Sequence, residues 1–356
     1  MSFPSVEIPV IDLSGPQEAV AGQLVDAAAE HGFIYVRNLG HDIPAARVDE
    51  AFGLSKKLFS APVEEKQACS IQTNNRGWVG MHAETLDPQN QKVGDFKEAF
   101  NFGEFVDGKA QQPIPPAIAA DEARLSSYAD LCRALCLKIL TLLGQGLQVN
   151  DFFSSAHFKS PSGSGTTLRF LRYPPPSSTT HAANDVRAGA HSDYGSITLL
   201  FRLRGQAGLE ILKKDGTWVP VPVSPPGTEN DASPPILVNI GDLLSYWTNG
   251  LFRSTVHRVV FPTDGIEGVK GESSSEPRYS IAFFCQPMDD AVLEPVPSER
   301  VKNFVDKGVV KNPSAERKGL TAGEHLLMRL SQTYGTLYGE QKGQIDAKGL
   351  GLTGQI

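Results

Sequence analysis

The sequence predicts an α+β protein whose core is mainly antiparallel β-structure, a sandwich or barrel, with helices flanking it. Three observations predict this. Helical spacing alternates with short strands in the first part of the chain. From about Leu168 the texture changes to short runs rich in β-branched and aromatic residues. Turn sequences and long Pro/Ser/Gly segments then separate those runs at close intervals, as in antiparallel sheets.

Taken in order, VEIPVIDLS reads as a short strand, with Pro9 suited to a strand start or edge. PQEAVAGQLVDAAAEHG has helical spacing, with Pro16 near its start and Gly32 just past its end. GFIYVRNLG is a second strand. Helices follow through ARVDEAFGLSKKLF and over Asp121 to Leu147. The later strands are TLRFLRY, GSITLLFRL, LEILKK, WVPV, ILVNIGDLLSYW, STVHRVVF and RYSIAFF, with a turn at KKDGTW. PPPSSTTHAAND, SPPGTENDASPP and PTDGIEGVKGESSSEP are surface loops by composition. AGEHLLMRLSQTYG is a last helix. The expected organisation is an N-terminal α-with-β region over 1–120, a connecting helix and loop over 121–167, a β core over 168–290 and a helical region over 291–356.

The chain has 356 residues, 40% hydrophobic and 21% charged, enough apolar material for a large core. A net charge of −7 argues against a general nucleic-acid or anionic-membrane binder. No apolar run approaches a membrane span, and the N-terminal stretch lacks the basic-then-apolar order of a secretory signal. The cysteines, Cys69, Cys132, Cys136 and Cys285, form no Cys-x-x-Cys pair and read as reduced thiols. A cytoplasmic protein is expected, acting on a small molecule, with no nucleic acid, membrane or protein partner indicated.

Chemistry concentrates in AGAHSDYGSITLL. His191 and Asp193 alternate at the head of an apolar run, and on a strand such residues point to one face. They would aim an imidazole and a carboxylate at one point, as a metal site or as a buried ion pair. STVHRVVF adds His257 on a strand face shared with Thr255 and Val259. Two imidazoles and a carboxylate are the facial triad of non-haem Fe(II) oxygenases. Zinc, which more often takes three His or two His and Glu, is the rival. Downstream, Arg278 and Ser280 share a face of PRYSIAFF. A buried arginine requires a counter-charge, and no carboxylate in the neighbouring sequence is an obvious mate. A ligand carboxylate would fit, with the serine hydroxyl as a second donor.

His191-x-Asp193, the distal His257 and Arg278-x-Ser280, in this order, resemble the 2-oxoglutarate- and Fe(II)-dependent oxygenase superfamily, in its isopenicillin-N-synthase-like branch. IPVIDLS, GFIYVRNLG, Asn75 to Gly77, FKEAFNFG and RYPPP extend the resemblance over nearly the whole chain. RAGAHSDYGSITLLF, STVHRVV and RYSIAFFCQP are most similar to the fungal thymine dioxygenase (thymine 7-hydroxylase) type. The resemblance implies a double-stranded β-helix, or jelly roll. It implies Fe(II) on His191, Asp193 and His257, with 2-oxoglutarate reaching from the iron to Arg278, Ser280 and Tyr173. With O2 as oxidant, a C–H bond of a small molecule, such as a pyrimidine-like heterocycle or secondary metabolite, would be hydroxylated or otherwise oxidised, releasing succinate and CO2. Asn75, Arg169, Tyr194 and Phe284 would form the substrate slot, with aromatic faces for stacking and amide and guanidinium donors for carbonyls. Two departures stand out: NLG replaces the common NHG of the second strand, and the segment from His257 to Arg278 is long, its GIEGVKGESSSEP a lid or an insertion. Two rival classes stay open here, an iron oxidase of the same fold that does not use 2-oxoglutarate and a non-catalytic binding jelly roll.

Overall fold

The computed structural model describes residues 7–158, 163–175, 185–261, 276–304 and 319–333. Residues 262–275 of the long loop before Arg278, with its GIEGVKGESSS stretch, and most of PPPSSTTHAAND lie outside them. The first region carries β1 (Val10–Ile11), α1 (Gln17–Glu30), β2 (Phe33–Val36), α2 (Ala45–Phe59), α3 (Val63–Gln67), β3 (Gly77–Val79), β4 (Glu98–Phe102), β5 (Phe105–Val106) and β6 (Lys109–Ala110). After α4 (Glu122–Gly146) and α5 (Phe152–Ser155) come β7 (Thr167–Tyr173), β8 (Val186–His191), β9 (Ile197–Arg202), β10 (Leu209–Leu212), β11 (Trp218–Pro220) and β12 (Ile236–Ile240). The rest comprises α6 (Asp242–Trp247), β13 (His257–Val260), β14 (Arg278–Cys285), α7 (Glu299–Lys302) and α8 (Ala322–Thr333).

Pro16 sets the entry to α1, its φ already helical in sign and its missing N–H no loss in the first turn. Gly32 ends it at φ +69°, and a Cβ there would lie 2.2 Å from the Arg253 carbonyl oxygen. Only glycine permits both that backbone and that approach. Its carbonyl accepts from the Ile240 N–H, which ties α1 to β12.

Eight strands form one sheet in the order β1-β2-β12-β9-β14-β7-β4-β3, and β11-β10-β13-β8 form a second. This is a jelly roll, extended at both ends of the larger sheet by strands from the first 120 residues. One face of the large sheet, through Phe170, Leu199, Val238, Ile281 and Phe283, packs with α1, α2 and α4. The other, through Leu171, Leu237 and Ala282, meets Ala188, Ile211 and Val259 of the small sheet. Each fully buried phenylalanine contributes on the order of 1.5–3 kcal/mol. Burial on both faces explains why ILVNI and the IAFFC end of β14 read as near-continuous apolar runs rather than alternating ones.

One expectation is corrected. ILVNIGDLLSYW is a strand only to Ile240; α6 begins at Asp242, because Gly241 sits 2.3 Å from the Gly195 oxygen at the position a Cβ would take and the chain turns there. Strand β8, over VRAGAH, is one more strand than the runs read from the sequence. Among the described residues no helix is long and apolar enough to cross a membrane.

Candidate active site

The space between the two sheets opens into a cavity of about 1070 Å³, its mouth included. Register decides which side chains face it. On β14, Arg278, Ser280, Ala282 and Phe284 share one face and all line the cavity. Their partners Tyr173, Leu171, Arg169 and Thr167 on β7 line it too, and the pairing runs without a bulge.

His191 and His257 are direct partners across β8 and β13. The next pairing, Val259 with Ala188, leaves an extra residue on β8, so a bulge sits beside His191 and aims its ring. Each ring is oriented by its outer nitrogen: His191 Nδ1 donates to the Gly189 carbonyl at 2.7 Å, and His257 Nδ1 to the Thr255 carbonyl at 3.1 Å. Both Nε2 atoms therefore face Asp193 Oδ1, at 3.8 and 3.6 Å. One atom from each of the three residues lies within 4.8 Å of the others, close enough to hold one metal ion.

The expectation that His191 and Asp193 share a strand face is corrected. Strand β8 ends at His191, and Asp193 stands in the turn before β9. Anchoring by α6 replaces strand alternation as the cause of convergence: the Asp242 N–H donates to the Asp193 carbonyl at 2.7 Å, and Leu243 N–H to those of Tyr194 and Gly195. The Asp242 carboxylate accepts from Ser192, Ser254 and Arg329, joining the turn, the approach to β13 and α8. Thr255 likewise precedes β13, and its hydroxyl donates to the His31 carbonyl.

Asp193 Oδ2 accepts from Thr198 Oγ1 at 2.6 Å and Asn239 Nδ2 at 2.7 Å, and those donors are themselves cross-strand partners on β9 and β12. That leaves Oδ1 toward the imidazoles. Burial pushes the Asp193 carboxyl up, but His257, His191 and the two donors outweigh it and hold it below the usual range. Burial, with His257 adding to it, lowers His191 to about 3, so its Nε2 keeps a lone pair for a ligand role. Two neutral imidazoles and one carboxylate suit Fe(II), and three coordination positions would remain for other ligands.

Farther along β14, Arg278 is 2% exposed. Its Nε donates to the Ala207 carbonyl at 2.8 Å, and its guanidinium stacks over the Tyr173 ring at 4.8 Å. Ser280 lines the same wall.

The four residues expected around a substrate also line the cavity, but not as free groups. Arg169 is turned onto Glu84, through Nη1–Oε1 at 3.2 Å and Nη2–Oε2 at 2.7 Å, and is no simple donor to a carbonyl. Glu84 also meets Lys97 at 2.9 Å, and Lys97 pairs with Asp95. Burial alone would discharge Lys97, but Asp95 and Glu84 raise its pKa and keep it charged. Asp95 Oδ1 accepts from the Gly189 N–H at 3.0 Å, which connects this buried quartet to the carbonyl that orients His191. Tyr194 bonds Thr333 and lies under Arg329, and burial raises its phenol to about 12. Asn75 adopts φ +60° in its turn and accepts from Asn101. Phe284 lies between Thr167 and Thr198 in register.

Residues 8–119 match the family described as non-haem dioxygenase in morphine synthesis N-terminal, and residues 165–287 match the 2OG-Fe(II) oxygenase superfamily. Over 339 residues the chain is 36% identical to a UPF0676 protein of Schizosaccharomyces pombe, covering 93% of this chain and 94% of that one. The chain belongs to the 2-oxoglutarate/Fe(II) oxygenase superfamily. It is also 30% identical to a 2-oxoglutarate-dependent dioxygenase of Dothideomycetidae sp., across 94% of this chain and 98% of the relative. The thymine 7-hydroxylase of Neurospora crassa, solved with 2-oxoglutarate and thymine, superposes with a TM-score of 0.71 at 26% identity, covering 91% of this chain and 96% of that one. The oxygenase is therefore an Fe(II)-dependent enzyme with 2-oxoglutarate and O2 as co-substrates.

Thr198, Asn239, Asp242, Glu84, Asp95 and Lys97 escaped the sequence reading. Their roles arise from contacts between distant segments, and no local spacing marks them.

Proposed function

We propose that the oxygenase oxidises a C–H bond of a small, flat, pyrimidine-like heterocycle, or of a secondary metabolite of that size. The observation that carries this reading is one cavity lined by His191, Asp193, His257, Tyr173, Arg278 and Ser280. His191, Asp193 and His257 hold Fe(II), and Arg278, Ser280 and Tyr173 take the far carboxylate of 2-oxoglutarate. When bound, the iron and its co-substrates supply the oxidising power: substrate, O2 and 2-oxoglutarate give oxidised substrate, succinate and CO2.

The protein's own contribution is placement and exclusion of water. Thr198 and Asn239 occupy one Asp193 oxygen so that the other stays directed at the metal. Arg278, desolvated and stacked on Tyr173, offers a charge-assisted pair to a carboxylate. Phe284 supplies a stacking face, Tyr194 an aromatic wall held by α8, and Asn75 an amide. Arg169, held by Glu84, shapes the wall and presents a paired, neutral surface to the ligand. This favours an uncharged substrate over a carboxylate or an amine. Four free, buried cysteines support a reducing, cytoplasmic setting. No nucleic-acid or protein partner is invoked.

The test is a substrate screen scored by succinate formation and by product. Pyrimidines and similar rings are expected to drive coupled turnover. If only bulky polycyclic or peptide substrates do so, the heterocycle reading fails while the oxygenase assignment stands.

A further inference from the structure

Asn101 lies on β4, opposite Gly77 on one side and Arg169 on the other, and lines the cavity. It is 1% exposed. Its Nδ2 donates to the Asn75 backbone carbonyl at 3.0 Å and to Asn75 Oδ1 at 3.1 Å. Those two acceptors settle the orientation of the amide, because the flipped form would set oxygen against oxygen. The remaining group, Asn101 Oδ1, is a buried acceptor with no hydrogen-bond partner among the described residues. An acceptor left so in the apolar interior costs on the order of 1–3 kcal/mol, and a satisfied one does not.

Asn75 completes the pattern. Its Oδ1 is committed to Asn101, so its own Nδ2 is the half of the amide available to a ligand. The two asparagines, hydrogen-bonded to each other, thus place an amide N–H donor and an amide oxygen acceptor side by side on one cavity wall. The complement of that wall is a ligand edge bearing an N–H next to a C=O. Beside it the Arg169–Glu84 pair leaves no net charge to attract an ionic group.

We infer that Asn101 is a specificity-determining residue, and that with Asn75 it reads a cis-amide edge, as in a lactam, cyclic imide or cyclic ureide. The N–H of the substrate donates to Asn101 Oδ1, and the adjacent carbonyl accepts from Asn75 Nδ2. This rests on the proposed small-heterocycle reading and narrows it: ring size and aromaticity matter less than the neutral N–H/C=O edge.

The experiment is calorimetric titration of the anaerobic Fe(II)–2-oxoglutarate enzyme with uracil and with 1,3-dimethyluracil, which keeps ring and carbonyls but has no N–H. The native enzyme is expected to favour uracil by roughly 10-fold or more, as a buried acceptor loses its partner in the methylated complex. Because methyl groups also add bulk, the deciding arm is Asn101→Leu. That variant should lose uracil affinity by a similar factor, with dimethyluracil affinity unchanged or improved, so that the preference collapses. Asn101→Ala removes the same acceptor with a smaller side chain and should also lose the preference, which covers the case of a poorly folding leucine variant. Unchanged 2-oxoglutarate affinity shows that each variant is folded. Equal affinities in the native enzyme, or a preference that survives in Asn101→Leu, overturn the inference and leave the heterocycle reading standing. Failure of both rings to bind overturns the two together.

Discussion

His191 and His257 face each other directly across adjacent antiparallel strands, with ring centroids 4.4 Å apart. Two imidazoles so close, each with its outer nitrogen tied to a backbone carbonyl two residues before it, have their inner lone pairs fixed by the backbone itself. The third partner is supplied by a turn. Asp193→Ala is therefore expected to abolish turnover and to weaken Fe(II) binding, since the only carboxylate of the face is gone. Asn239→Ala leaves all three ligands in place but frees one carboxylate oxygen to rotate, and should lower metal affinity by roughly 10- to 100-fold. Titration with Fe(II) under anaerobic conditions checks both. Full activity in Asp193→Ala would remove the triad from the mechanism.

Co-substrate recognition makes a separate demand. Arg278→Ala should raise the 2-oxoglutarate requirement by the equivalent of about 2–5 kcal/mol, because one side of a desolvated charge pair is lost. Fe(II) affinity should be retained, as Arg278 stands on β14, whereas the three candidate ligands stand on β8, on β13 and in the turn before β9. Steady-state kinetics with varied 2-oxoglutarate separates the two effects. An unchanged co-substrate dependence would make Arg278 a purely structural residue.

His191, Asp193 and His257, and Arg278 with Ser280, could be picked out because they stand on or next to strands whose local sequence is distinctive. Phe284 could be placed by counting from Arg278, since no bulge interrupts β14. The role of Arg169 could not be read in the same way. Its face was evident from TLRFLRY, but its partner Glu84 lies in a stretch without regular structure, 85 residues away. Asp193 raised the opposite difficulty. The alternation of His191 and Asp193 suggested a strand, whereas the anchoring donors come from Asn239 and Asp242, beyond an intervening hairpin. Local pattern reveals which side chains an element presents, and long-range packing decides what they find there.

The buried quartet of Arg169, Glu84, Lys97 and Asp95 gives a stability prediction. Glu84→Ala removes the anion shared by two buried cations and should destabilise the fold by about 3–5 kcal/mol, seen as a lowered denaturation midpoint. Phe284→Ala, by contrast, should mainly weaken substrate binding, with about 0.5–1.5 kcal/mol lost from stacking beyond that from burial. Uncoupled turnover, in which 2-oxoglutarate is consumed with little product, is the expected symptom of the latter. A Glu84→Ala protein as stable as the native one would mean that the quartet relaxes to water.

His157 supplies a pH dependence remote from these charges. The ring is buried; Nδ1 donates to the Phe153 carbonyl at 2.7 Å, and Nε2 accepts from the Ser196 hydroxyl at 2.9 Å. That pattern is complete only for the neutral imidazole. Burial accordingly lowers its pKa from the ordinary 6.5 to about 4, against a smaller opposing effect of the Phe153 carbonyl. As pH falls below 6.5, the unfolded chain takes up a proton at this position that the folded chain refuses. Stability is therefore fully present above about 6.5 and declines as pH falls toward 4, by about 3 kcal/mol from this residue over the whole window. His157→Gln cannot titrate and should flatten the curve, by roughly 2 kcal/mol between pH 7 and pH 5, even though it starts from a lower stability at pH 7. Denaturant melts of both proteins at pH 7 and pH 5, in the same metal state, make the comparison. Parallel losses in the two proteins would mean that His157 does not hold its neutral form in the fold.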